Sequence, residues 1–242
     1  MKIVVYGAGV MAQYVKDSVI ASGNEFVGFV DPLGKGNFLN LEDESILFDG
    51  IIDFSHYSLM EDVLKYAIQR KVPLVLATTG HSTEQLLKIE EASKKIPLIK
   101  ATNTSLGVTV LNEIVAYATK LLSDFDIEII EKHHNRKIDA PSGTAATLLE
   151  VIQENLPEKY NVIYGREGNS KRQEKEIGVH AIRGGNIVGE HTVIFTKNDE
   201  VIEIKHEALS RKMFSDGAVK GIMYLKDKKP GKYVMKDVLG IK

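Results

Sequence analysis

Lys2-Ile3-Val4-Val5-Tyr6-Gly7-Ala8-Gly9-Val10-Met11-Ala12 opens the chain. The first five residues are a β-rich run, and from Val10 the apolar residues Val15, Val19 and Ile20 recur at helical spacing. The stretch therefore reads strand, glycine turn, helix. In the G-x-G-x-x-G/A spacing each small residue has its own role. Gly7 makes the tight turn, Gly9 admits a pyrophosphate close to backbone, and Ala12 lets the helix lie against the strand. Ala8, Val10 and Met11 complete this candidate cofactor turn. A lone glycine pattern is weak evidence, but a second strand, Glu25-Phe26-Val27-Gly28-Phe29-Val30, ends in Asp31. That is about 20 residues on, the place of the acid that binds ribose hydroxyls. The alternative is an ordinary β-turn-α unit whose acid is a loop residue. Asp31 would accept from the adenosine ribose and repel a 2′-phosphate, so NADH should serve at least as well as NADPH. Lys35 is near enough in sequence to blur that preference.

The βα alternation continues through a strand Gly50-Ile51-Ile52-Asp53-Phe54-Ser55, helix 59–70, strand 73–77, helix 83–94 and strand 97–100, the pattern of a doubly wound α/β sheet. These strands end in Phe54-Ser55, Ala77-Thr78-Thr79-Gly80 and Ala101-Thr102-Asn103-Thr104. In such a sheet the ligand crevice lies at the carboxyl ends of the strands, so these residues should line the nicotinamide side. Ordinary turn chemistry would explain any one of them alone.

From Ser105 the pattern changes. A long apolar-periodic helix at 108–123 precedes the alternating strand Ile127-Glu128-Ile129-Ile130-Glu131, then His133-His134-Asn135-Arg136-Lys137-Ile138-Asp139-Ala140-Pro141-Ser142-Gly143-Thr144-Ala145 and a helix at 145–155. Two histidines, a lysine and an aspartate thus share one loop beside the N-terminal amides of a helix. That combination suits an anionic substrate that must also be given a proton. Lys137 and the amides would hold carboxylates, and His133 or Lys137 would supply the proton. The bland alternative is a structural loop with surface histidines, a solvated Lys137 and Ser142 as an N-cap. A metal site is disfavoured, because adjacent histidines on an extended segment point to opposite faces and no Cys completes a zinc set.

Residues 164–176 are polar and read as a surface loop, with a lid as the alternative. Residues 177–195 read as a β-hairpin around Gly184-Gly185-Asn186, and a second turn, Lys197-Asn198-Asp199-Glu200, leads into a strand at 201–206. This half is expected to be an α+β substrate domain with an open mixed sheet, its bare face covered by another subunit. The tail returns to helix at 213–225 and should pack back on the first domain, with Arg211 and Phe214 placed to approach the cofactor. The expected division is a dinucleotide-binding domain of residues 1–105 with 211–242, and a substrate-binding and oligomerisation domain of residues 106–210.

The chain has 242 residues, no Cys and no Trp, and a formal net charge of -2. Disulfides and thiolate chemistry are excluded, and the lack of Cys is compatible with a reducing compartment. Near-neutral charge argues against nucleic acid as a partner, and no run approaches the roughly 18 apolar residues of a membrane helix. The expectation is a soluble, cytoplasmic protein.

The stretch from Glu131 to Ala145 resembles the signature H-H-x-x-K-x-D-A-P-S-G-T-A of the 4-hydroxy-tetrahydrodipicolinate reductases, also called dihydrodipicolinate reductases. The likeness extends to the glycine turn, Asp53-Phe54-Ser55, Thr78-Thr79-Gly80, Asn103 with Ser105, Arg183-Gly184-Gly185 with Gly189-Glu190-His191-Thr192, Ser210-Arg211 and Asp237-Val238-Leu239-Gly240. The resemblance implies a homotetramer that reduces a cyclic dicarboxylate imine with NADH or NADPH in lysine and diaminopimelate synthesis. It implies His133 as catalytic acid/base, Lys137 as proton donor, and His134, Lys137, Ser142, Gly143 and Thr144 as substrate ligands. Ala77 stands where Gly is usual, Ala12 replaces the third glycine, and Thr104 stands where Phe is common. Two other readings use the same fold features: an amino-acid dehydrogenase, and a dinucleotide sensor without turnover.

Overall fold

The computed structural model describes residues 1–241. The chain packs as two compact units, Met1–Leu106 with Arg211–Lys242, and Gly107–Ser210. In order the elements are β1 (Lys2–Tyr6), α1 (Val10–Ala21), β2 (Glu25–Val30), β3 (Gly50–Asp53), α2 (Met60–Arg70), β4 (Leu74–Leu76), α3 (Thr83–Ser93) and β5 (Pro97–Lys100). Then come α4 (Leu106–Leu121), β6 (Asp126–His133), α5 (Gly143–Asn155), β7 (Asn161–Tyr164), β8 (Glu176–Arg183), β9 (Gly189–Lys197) and β10 (Glu200–Ala208). The tail forms α6 (Lys212–Leu225), β11 (Gly231–Tyr233) and α7 (Met235–Leu239).

The first unit is a six-stranded sheet in the order β11-β5-β4-β3-β1-β2, with every pairing parallel. Its strands are near-continuous Val, Ile and Leu because both faces are covered. Val4, Ile51, Leu74 and Leu98 pack beneath Val63 of α2 and Ile89 of α3. On the other face, Ile3, Val5, Ile52, Val75 and Ile99 meet Val15 and Val19 of α1 and Ile222 and Leu225 of α6. The tail contributes both α6 and the sixth strand, since β11 pairs with β5. Three residues, Gly-Lys-Tyr, are too few to show an alternating pattern, so this strand has no signature of its own. Gly7 sits at φ +106°, and a Cβ there would lie 2.9 Å from the Phe54 carbonyl oxygen. Only glycine fits where the β1–α1 turn crosses the end of β3.

The second unit is a five-stranded sheet in the order β10-β9-β6-β8-β7. β6 runs parallel to β8 and antiparallel to β9, so the sheet is mixed, as expected. Ile127, Ile129, Ile177, Val179, Val193 and Phe195 form its covered face, against Leu111 and Val115 of α4 and Leu148 and Ile152 of α5.

Residues 177–195 are not a hairpin. β8 and β9 do not pair with each other, because β6 lies between them: Ile129 is opposite Val179 on one side and Val193 on the other. Both strands bury the same residues whichever neighbour they take, so the alternation could not reveal the insertion. The glycines at 184 and 185 instead serve a crossing over the end of β6, where Gly184 N donates to His133 O (2.9 Å) and Asn135 N donates to Gly185 O (3.2 Å). The hairpin of this unit is β9–β10, closed by Asn198-Asp199 with Lys197 opposite Glu200. Residues 165–175 form a surface loop held to its own sheet. Arg172 bonds Glu128 and the Glu176 carbonyl, and Arg166 pairs with Glu176 at 2.6 Å.

In α6 a Cβ at Gly217 would sit 1.8 Å from the Thr104 carbonyl oxygen, and Thr104 Oγ1 donates to Phe214 O at 2.6 Å. Helix propensity alone favours Gly→Ala in a helix interior by about 1 kcal/mol. The backbone contact reverses that sign. Gly217→Ala should destabilise the first unit by about 1–3 kcal/mol net, read as a lowered denaturant midpoint with an unchanged slope.

Candidate active site

In the first unit, Met11, Phe54, Ala77, Thr102, Asn103, Thr104, Arg211 and Phe214 line one cavity of about 240 Å³. It lies at the carboxyl ends of the parallel strands, and all eight residues are ones that the sequence placed at or near the cofactor. The turn that carries Gly7, Ala8 and Gly9 leads directly into α1, whose first turn holds no acidic side chain. Its amide dipole is therefore left positive toward an anion. A Cβ at Gly9 would meet nothing within 4 Å, so the approach is open, whereas Ala12 is fully buried against the sheet. Val10 is 65% exposed. Asp31 follows β2, its Oδ1 accepting from Leu33 N at 2.8 Å. An open amide cradle, an acid after β2 and a cavity at the strand ends fit a pyrophosphate-linked dinucleotide.

Ser55 and Thr78 face a different partner. Asp53, 1% exposed, accepts from Ser55 N (3.0 Å), Ser55 Oγ (2.5 Å) and Thr78 Oγ1 (2.5 Å). Burial pushes the Asp53 carboxyl up, while these hydrogen bonds oppose the shift. Lys100 Nζ donates to Thr78 O at 2.9 Å, and burial lowers its ammonium pKa. These bonds fix the ends of β3 and β4 from below. Ala101 is buried beside them and Thr79 is exposed.

In the second unit the cluster begins at the end of β6. Period-two alternation puts Glu131 and His133 on the covered face, and His134 is the first residue past the strand. Glu131 is fully buried and His133 is 9% exposed, with His133 Nδ1 2.6 Å from Glu131 Oε2. Arg183 of β8, level with His133, forks onto the same carboxylate, Nη1 to Oε2 at 2.8 Å and Nη2 to Oε1 at 2.7 Å. Ser142 N donates to Oε1 at 3.0 Å. Burial would raise the Glu131 carboxyl, but Arg183 and then His133 outweigh it and hold the pKa below the ordinary carboxylate range.

Ser142 is the N-cap of α5, accepting from Ala145 N, and its Oγ also meets His191 Nε2 at 2.8 Å. The N-cap reading is thus correct without exhausting the residue. Gly143 is exposed and open on its Cβ side, and Thr144 follows it in the first turn of α5. Lys137 Nζ lies 2.7 Å from Asp139 Oδ1, with Asp139 58% exposed. The pairing lowers the Asp139 carboxyl. His133, Lys137, Ser142, Gly143 and Thr144 therefore belong to one end of one unit.

Glu131, Arg183 and His191 lay outside the sequence reading as site residues. Glu131 carried a signal, being two residues before His133 on an alternating strand. Arg183 and His191 stood in motifs that carry the resemblance, but nothing local gave them a role, since their places follow from β6 standing between β8 and β9.

A parallel sheet with a dinucleotide cradle, joined in sequence to a unit with a buried imidazole–carboxylate pair, defines a two-unit oxidoreductase of the dinucleotide-binding class. Residues 1–104 match the family model for the N-terminus of dihydrodipicolinate reductase, and residues 107–239 match that for its C-terminus. The chain belongs to the dihydrodipicolinate reductase family. The 4-hydroxy-tetrahydrodipicolinate reductase of Brachyspira hyodysenteriae is 45% identical over 240 residues, 99% of this chain and 100% of that one. The enzyme of the same name from Clostridium tetani is 49% identical over 217 residues, 87% and 85% of the two chains. Among solved structures, a dipicolinate-bound dihydrodipicolinate reductase from Paenisporosarcina sp. TG-14 is similar at TM-score 0.79 and 23% identity over 97% of both chains. The DAP dehydrogenase of C. glutamicum reaches TM-score 0.53 at 11% identity, over 97% of this chain and 92% of that one. Likeness at such identities carries the fold alone.

His191 supplies a test of this cluster. Burial first, then the neighbouring His133, push its pKa from 6.5 down to about 4, with Glu131 opposing and His206 and Lys137 adding to the fall. Below pH 6.5 the unfolded chain takes up a proton that the folded state refuses, so stability is intact above that pH and is lost as pH falls toward 4. At ~1.4 kcal/mol per tenfold change in proton affinity, the loss amounts to roughly 3 kcal/mol. His191→Gln cannot titrate but still offers Ser142 a partner. It should show a smaller fall in unfolding free energy between pH 7 and 4.5 than the parent, measured by denaturant titration.

Proposed function

We propose that the protein reduces 4-hydroxy-tetrahydrodipicolinate, or its dehydrated form dihydrodipicolinate, to tetrahydrodipicolinate with NADH or NADPH, in lysine and diaminopimelate biosynthesis. The observation that carries this reading is the convergence at the end of β6: an imidazole on a buried carboxylate, a lysine and the open start of a helix. It occurs in a chain aligned over 99% of its length with a relative bearing that enzyme's name.

The reduced dinucleotide, held by the first unit, supplies hydride. The Gly7–Ala12 turn and the amides of α1 neutralise its pyrophosphate, Asp31 accepts from the adenosine ribose, and residues at the ends of β3, β4 and β5 with Phe214 border the nicotinamide. In the second unit, Lys137 and the Gly143 and Thr144 amides hold the carboxylates of the substrate and orient its ring. His134 flanks this subsite. Hydride addition leaves negative charge on a conjugated enamine, so a proton must reach the adjacent carbon, and His133 or Lys137 delivers it. Oxidation of an amine substrate would need no such donor to carbon.

The assembly in this reading is a homotetramer in the cytoplasm. Its support is that Val201 and Ile182, on the face of the second sheet opposite the helices, are 61% and 45% exposed, which a second subunit would cover. No helix among the described residues is long and apolar enough to cross a membrane, and the absence of Cys is compatible with a reducing compartment.

Substrate generated in situ from pyruvate and aspartate semialdehyde by a condensing synthase should cause synthase-dependent loss of nicotinamide absorbance. The rate with NADH should at least equal that with NADPH, as Asp31 requires. His133→Gln should lower kcat by roughly 10²–10⁴-fold, and Lys137→Ala should raise KM as well. Dinucleotide binding without turnover would overturn the reading.

A further inference from the structure

A carboxylate held below its ordinary range only accepts hydrogen bonds. Three bonds reach Glu131 from groups that only donate: two from the Arg183 guanidinium and one from Ser142 N. The fourth partner is His133 Nδ1, at 2.6 Å. That nitrogen must therefore carry hydrogen and donate. Its counterpart Nε2 faces Gly189 at the start of β9, where a Cβ would stand 3.0 Å away. The absence of a side chain at 189 keeps that nitrogen clear. The other imidazole in contact, His191, meets the His133 ring edge-on with centroids 5.2 Å apart.

We propose that Glu131, braced by Arg183 and the start of α5, is a positioning residue that fixes His133 with hydrogen on Nδ1, so that Nε2 is the atom through which the proton leaves for substrate. The inference rests on the reductase reading of His133 and adds the atom, the tautomer and the residues that decide them. In the step, the Nε2–H bond of the imidazolium breaks as the new C–H bond forms on the carbon next to the hydride acceptor. The imidazole left behind is neutral, keeps its Nδ1 hydrogen on Glu131, and takes its next proton from solvent at Nε2. Glu131 stays ionised throughout, because Arg183 neutralises it in both states. Gly189 is the complementary device: it leaves space at Nε2 where Glu131 leaves none at Nδ1.

The test is nitrogen spectroscopy of the full chain labelled with 15N-histidine, together with steady-state kinetics. In the parent protein with a neutral imidazole, His133 Nδ1 should show the shift of a protonated ring nitrogen and Nε2 that of a bare one. Glu131→Gln keeps one acceptor oxygen, which is drawn to the side where Ser142 N and Arg183 Nη2 both donate; its N–H2 then faces His133, so the Nδ1 signal should lose its protonated position. Its kcat should fall on the order of 10²–10⁴-fold, the contribution of a correctly positioned general acid, with KM for substrate within about 3-fold. Gly189→Ala should lower kcat without altering dinucleotide binding, and it keeps the proposal testable if Glu131→Gln fails to fold. A bare Nδ1 in the parent, a folded Glu131→Gln protein with parental kcat, or a Gly189→Ala protein with parental kcat would overturn the proposal. Failure of the reductase reading is distinguishable, because the parent would then show no synthase-dependent turnover while the tautomer, read without activity, still reports on Glu131.

Discussion

The end of the second unit where β6 stops depends on a single buried carboxylate. An ion taken out of water costs several kcal/mol unless its oxygens are matched by charge and hydrogen bonds. Glu131 is matched by His133 on its own strand, by Arg183 from β8 and by Ser142 at the start of α5. Those donors come from three elements separated by up to 52 positions in sequence. The carboxylate therefore dictates the fold around it. β6 must run beside β8 in parallel register, and the loop after His133 must return so that α5 begins on top of Glu131. The N-cap hydroxyl of that helix then reaches His191 on β9, so both neighbours of β6 are tied to one point.

The first unit solves a related problem differently. Asp53 is also buried at the end of a central strand and also organises the loops beyond it, but its direct partners are the hydroxyls and an amide of Ser55 and Thr78. Neutral donors do not repay desolvation as a guanidinium fork does. The two carboxylates accordingly shift in opposite directions, Asp53 up and Glu131 down. Asp53 acts as a tether for the strand ends that border the cavity, whereas Glu131 sustains a permanent negative charge beside an imidazole.

Much of this organisation was legible in the sequence, and the divide follows the range of the interactions. The glycine turn, the Asp31 position and the βα alternation are local patterns, and the elements lie within a few residues of the expected bounds. The clustering of Phe54, Ala77, Thr102, Asn103 and Thr104 followed from the rule that crevices form at the carboxyl ends of parallel strands. Strand order in the second sheet was not legible. Ile177 to Phe195 carries the alternation and the glycines of a hairpin, and the interposed β6 is specified by pairings 50 or more positions away, such as Ile129 with Val179. Arg183 and His191 stood in matched motifs, but for the same reason no local pattern placed either beside Glu131. Glu131 was the exception, a charged residue on the buried face of an alternating strand, where only a partner justifies it.

Exposure divides the loop lysine from the cluster at the strand end. Lys137 pairs with Asp139, whose side chain is 58% exposed, and an ion pair of that kind is worth about 0–1 kcal/mol. Parting Lys137 from Asp139 therefore costs little, and the long lysine side chain can turn to another anion. The Glu131–His133–Arg183 cluster is buried, and breaking such a pair costs about 3–5 kcal/mol. A ligand would have to supply that much to rearrange it. A group that binds gains from adaptability, while a group that must present one nitrogen to one carbon gains from having no alternative arrangement. The segment from Glu131 to Thr144 places both kinds side by side, rigid where the strand ends and adaptable where the loop meets solvent.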